Sequence, residues 1–154
     1  MNFNLHPHKL TCAVAALLMT LSSPHQTAQA ADLIVNVVNL SIKTGTMRAG
    51  LFDVPKEFPQ GKKTSGQDVR VQNGKAQFLF KGLTTSKRYA VAIYHDENDN
   101  GEFDKAFLGF PLEAFGFSRD ASVLAGAPSF EDSNVELKND KMEITIKLKH
   151  SVFD

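Results

Sequence analysis

Toward the C-terminus, Met142, Ile144, Ile146 and Leu148 alternate with Glu143, Thr145, Lys147 and Lys149. A period of two puts every apolar side chain on one face of an extended strand and fits no helix, whose apolar positions recur every three to four residues. The alternation returns along the chain. Leu33, Val35 and Val37 interleave with Ile34, Asn36 and Val38, a β-branched run that reads as a strand covered on both faces. Thr46–Phe52, Val69–Val71, Lys75–Lys81, Arg88–Tyr94 and Val135–Leu137 complete a set of seven with the first and last runs. Asn73-Gly74 is a two-residue hairpin signal, because both residues tolerate positive φ. No stretch sustains apolar spacing of helical period, which disfavours a βαβ fold. The expected fold is all-β: a single antiparallel β-sandwich of about seven strands with one long ordered loop. Residues 53–67, with two Pro and two Gly, are expected to form a mobile loop at one end.

The 154 residues suffice for one domain. Lys plus Arg and Asp plus Glu each number 17. Residues 1–30 hold one base, Lys9, and no acid, so residues 31–154 carry 16 bases and 17 acids, a net charge of −1. Such a balance gives no bulk electrostatic drive toward nucleic acid or an anionic membrane. Lys9, the mainly apolar run Leu10–Leu21 and the small-residue end Ala28-Gln29-Ala30 read together as a cleaved secretory signal peptide. The 12-residue run is too short to cross a bilayer, which takes about 20 residues. The expected product is residues 31–154, periplasmic or secreted and not membrane-inserted. The single cysteine, Cys12, lies in the removed segment, so disulfides are excluded as the domain's staple.

Between two strands, residues 95–132 lack any convincing element. Loops beyond about 15 residues without regular structure are functional or disordered. Phe103, Phe107, Phe110, Phe115, Phe117 and Phe130 are too many aromatics for a solvated segment. The loop should therefore be packed, and something must organise its backbone. It opens with Asp96, Asn98 and Asn100 at alternate positions, then Gly101, then Asp104, the front half of a calcium loop. Short oxygen-bearing side chains at every second residue converge as the chain curls, and glycine permits the sharp turn. Glu102 would give a backbone carbonyl. The twelfth position, where a closing glutamate is required, holds Phe107. The cage must then be completed from elsewhere, with Glu113, Glu131 and Asp132 as candidates. The expected ligands are Asp96, Asn98, Asn100, Glu102, Asp104 and Glu113, and the expected ion is Ca²⁺, held at about 10⁻⁴–10⁻³ M. The competing reading is a surface turn rich in Asp, Asn and Gly for their own turn chemistry.

His95, beside this loop, could serve with Glu113 or Asp132 as acid and base in a small-molecule hydrolase. It could equally be a hydrogen-bonded strand end. Ser118 lacks the G-x-S-x-G setting of a nucleophile, since it sits in Gly116-Phe117-Ser118-Arg119.

Leu83, Tyr89-Ala90-Val91, His95-Asp96, Asn98, Asn100-Gly101 and Asp104 are followed by Gly109, Pro111, Glu113, Gly116-Phe117-Ser118, Pro128 and Phe130. Together they resemble the exported bacterial family called domain of unknown function 2141. The resemblance implies no activity. The strand pattern is similar to transthyretin-like and carboxypeptidase-regulatory sandwich domains. Transthyretin-like hydroxyisourate hydrolases end in Tyr-Arg-Gly-Ser, whereas this chain ends His150-Ser151-Val152-Phe153-Asp154, so that activity does not transfer. The expectation is a non-enzymatic protein whose calcium-ordered aromatic loop binds a protein or small-molecule partner.

Overall fold

The computed structural model describes Met1 and residues 29–42, 44–124 and 126–153. The expected signal peptide lies, but for its ends, outside the described residues. Among the described residues eight strands form two packed sheets: β1 (Ala30–Val38), β2 (Thr46–Phe52), β3 (Ser65–Arg70), β4 (Ala76–Thr84), β5 (Arg88–Asp96), β6 (Phe115–Phe117), β7 (Val135–Glu136) and β8 (Lys141–Lys147). The sandwich is all-β, with one short helix, α1 (Phe130–Ser133).

One sheet has the order β4-β1-β8, and the other β3-β2-β5-β6 with β7 on the Arg88 end of β5. β1 and β8 run parallel, whereas the other pairs are antiparallel. A parallel pair cannot be joined by a tight turn. Asn139-Asp140 accordingly carries the chain from β7 in one sheet to β8 in the other, and neither residue takes positive φ. Asn73 and Gly74 do, at 52° and 69°, and close a tight turn bridged between Gln72 and Lys75, but β3 and β4 then enter different sheets instead of pairing as the expected hairpin.

Leu33, Val35 and Val37 meet Phe78, Phe80 and Ile146 in one sheet and Met47, Leu51, Val91 and Ile93 across the interface. Burying each such side chain fully is worth about 1.5–3 kcal/mol. The opposite side of β1 is only half covered, contrary to the two-faced burial expected of it. There Asn36 bridges its neighbours, donating to Glu143 and accepting from Gln77 at 2.6 Å.

Two loops have more structure than their sequence suggested. Residues 53–67 contain a 3-10 turn at Pro55–Glu57 and the start of β3. Residues 95–132 contain β6, a turn at Ser118–Asp120 and most of α1. β6 escapes a periodicity reading because three residues cannot display a period.

Candidate functional site

Alternation along β2 and β5 points Met47, Ala49, Leu51, Tyr89, Val91 and Ile93 into the core, and therefore turns Arg48, Gly50, Phe52, Ala92, Tyr94 and Asp96 outward. That outer face is not left to water. Residues 53–64 and 97–134 fold over it, and their rings touch in sequence. Phe58 lies 5.4 Å from Phe52, 5.9 Å from Phe117 and 6.2 Å from Phe130, edge-on each time. Phe115 joins Phe117 to Phe103 at 6.0 and 6.1 Å, and Phe103 reaches Tyr94 at 5.2 Å. Edge-to-face pairs at these separations add about 0.5–1.5 kcal/mol each beyond area burial. The rings leave a cavity of about 430 Å³ against the sheet, floored where Gly50 and Ala92 offer almost no side chain.

Asp96 organises the neighbouring loop. It is fully buried. Its Oδ2 accepts from Arg48 Nε at 2.7 Å and from the Gly101 amide at 2.9 Å, and its Oδ1 accepts from the Asn100 amide at 3.1 Å. Burial pulls this carboxyl upward, but Arg48 and the two amides outweigh it and hold the group below the ordinary aspartate value. Gly101 takes φ +86°, the left-handed turn that the sequence asked of it.

The expected ligands divide. Asn98 and Asn100 donate to the Asp104 carboxylate at 2.8 and 3.1 Å, so these three side chains meet above Asp96. Their own oxygens accept the Asn100 amide at 3.0 Å and the Glu102 amide at 2.8 Å. Glu102, expected to offer its carbonyl, has an exposed side chain and is tied to the cluster by its amide. Glu113, nearly buried, lies behind it and staples the loop, accepting from the Glu97 and Asp104 amides at 3.1 Å each. Burial pushes the Glu113 carboxyl above the ordinary glutamate value, and the charges of Asp104 and Asp96 push the same way. Among the described residues no three His, Cys, Asp or Glu side chains gather to hold a metal unaided, so a cation here would need amide and carbonyl oxygens as well. A glutamine can accept at only one of the two amides. Glu113→Gln is expected to cost about 1–3 kcal/mol and to speed hydrogen exchange at Glu97 and Asp104.

The acid–base set is gathered only in part: the His95 amide donates to the Ala114 carbonyl at 2.8 Å, beside Glu113, while Asp132 lies toward the other end of β5. His95 is fully buried, and its Nε2 contacts the Thr44 carbonyl at 2.6 Å. Its Nδ1 has no hydrogen-bond partner among the described residues and lies 3.9 Å from Glu97 Oε1. Asp132 sits in the first turn of α1 and is held by the cap residue Ser129, whose hydroxyl accepts from the Asp132 amide at 3.2 Å and donates to the Asp132 carboxylate at 2.6 Å. Glu131 next to it pairs with Arg88 at 2.6 Å. Arg88 and His95 stand at opposite ends of β5, roughly 20 Å apart at strand rise. Glu113 spends both oxygens on backbone amides. Ser118 is buried and serves the backbone: it accepts from the Val91 amide at 2.9 Å and donates to the Ser133 carbonyl at 2.5 Å.

Sequence reasoning missed Arg48 as the partner of Asp96 and missed the cavity altogether. No local pattern marks either. The family model described as "Uncharacterized protein conserved in bacteria (DUF2141)" matches residues 35–145. The chain belongs to this family. Comparison with curated proteins and with solved structures finds no match. The stretch matched to the DUF2141 model runs from β1 into β8 and takes in the Asp96 loop, β6 and α1.

Proposed function

We propose that this protein is an exported, non-enzymatic binding protein whose long aromatic loop forms the binding surface, ordered by the Asp96–Asp104 turn and by calcium held there. The observation that carries the reading is the way residues 97–134 lie against the outer sheet face: the rings pack on one another, yet a concavity stays open beneath them. A loop present only to cover the sheet would fill that space, as interiors do. Few precise polar groups within an apolar concavity are the usual makings of a ligand site.

Calcium adds to this reading through charge. Arg48 answers Asp96, and Arg70 answers Asp99. Asp104 and Glu113 have no cation against them among the described residues, and Asp104 raises Glu113. A hard divalent cation over Asn98, Asn100 and Asp104 would relieve that repulsion once the amides rotate their oxygens inward. Export rests on the leader-like residues 1–30, and the transthyretin-like or carboxypeptidase-regulatory kinship on the strand pattern.

The test is a melting series with calcium. With a dissociation constant near 0.5 mM, 5 mM Ca²⁺ stabilises by about 1.4 kcal/mol, a rise of roughly 4–7 °C. Asp104→Ala removes the rise and keeps the Arg48–Asp96 pair. A folded native sample that melts at the same temperature with and without calcium contradicts the ion's role.

A further inference from the structure

We infer that the cavity on the outer sheet face is a site for a small molecule with a flat, apolar body and an anionic group, of the aromatic carboxylate or sulfonate class. This deepens the proposed binding role and rests on it. Three observations point to that chemistry. First, Gly50 and Ala92 floor the cavity between aromatic walls at Phe103, Phe115 and Phe117, with the Phe52 ring and the Lys63 stem packed over Gly50, which makes a slot suited to a planar body. Second, the lining includes three cations, Arg48, Lys63 and Lys105, and no carboxylate. Arg48 is already engaged by Asp96 and Asp68. Lys63 and Lys105 have no ion pair among the described residues: the Lys63 stem lies 3.2 Å from the position a Gly50 Cβ would take, and the Lys105 ammonium stands 5.4 Å from the Phe103 ring. Third, a cavity of about 430 Å³ is of the size that takes a compound of two or three rings. Both lysines are exposed, so water serves them in the free protein, and an anion gains from their charge at the cavity edge where a neutral ligand does not.

The probe is 8-anilinonaphthalene-1-sulfonate, followed by its fluorescence on titration with the full folded chain. Saturable binding at one site per chain is expected, displaced by 2-naphthoate and at least tenfold less effectively by neutral 2-naphthalenemethanol. The double variant Lys63→Gln, Lys105→Gln should weaken binding at least tenfold at an unchanged melting temperature. Ala92→Leu fills the floor and should abolish binding. Exposed apolar residues at Phe107 and Leu108 could also attract such a dye, so Phe107→Ser, Leu108→Ser should leave the affinity as it is. Equal displacement by the neutral and anionic compounds, or full affinity in the lysine variant, overturns the ligand class while the binding role stands. Dye lost with Phe107 and Leu108 and indifferent to Ala92→Leu overturns the cavity as the site. No saturable binding by any of the three compounds overturns the inference, and a native chain whose loop amides exchange freely overturns the proposed role as well.

Discussion

Asp96→Ala is expected to destabilise the protein by about 3–5 kcal/mol, the range found when one partner of a buried ion pair is removed. The substitution strips Arg48 Nε of its carboxylate and leaves the Asn100 and Gly101 amides without their acceptor. For a domain of this size the loss corresponds to a drop of roughly 10–20 °C in Tm. Asp96→Asn should recover only part of the loss, because in either orientation its amide nitrogen faces a donor that now meets a carboxylate oxygen and Arg48 loses its countercharge. The same carboxyl governs acid behaviour. Its value in the folded state is lowered, so its contribution is fully present above the ordinary aspartate value of 3.8 and is lost as the pH falls below it through the folded value. In a denaturation series between pH 5 and pH 2, Asp96→Ala should flatten that limb of the stability curve. An unchanged limb would show that Arg48 and Asp96 do not pair in solution.

Ser118→Ala is the second large effect, at about 2–4 kcal/mol from two buried groups left unpaired. β6 pairs with β5 only as far as Ala92 and Phe117. One step further the Val91 amide would have no strand to meet, and the Ser118 hydroxyl takes the place of a carbonyl there while reaching the Ser133 carbonyl beyond it. One side chain thereby ties the middle of β5 to the end of α1. Equilibrium unfolding measures the loss, and hydrogen exchange at Val91 locates it. Ser118→Thr would restore the hydroxyl but crowd a fully buried position. It should fall between the two.

The main strands were legible because one face of each meets a core and the other meets water or a thinner cover. Met142 to Leu148 and Leu33 to Val37 show this most openly. What stayed hidden was non-local. Nothing near Met142 says that its strand will lie parallel to β1, since that neighbour comes from the other end of the chain. The Asp96 turn was legible in its own geometry, down to the left-handed Gly101. Its charge partner was not, because Arg48 arrives from β2 by strand register alone. The phenylalanines were readable as buried in the main and unreadable in place: Phe78 and Phe80 stack inside the sandwich, while Phe52, Phe115 and Phe130 are buried outside it beneath the loop. A cavity lined by the small residues Gly50 and Ala92 of two strands and by residues from distant loop segments leaves no signature in a linear pattern.

Native-state hydrogen exchange across residues 97–134 bears on all of this most directly. Amides of Glu97, Asn100, Gly101 and Asp104 should be protected to a degree approaching β5 itself, and Asp96→Ala should release them while the amides of β1 and β4 stay slow. Exchange of those four at the rate of an unstructured peptide in the native chain would mean that the aromatic loop is not held against the sheet and offers no formed surface for a ligand.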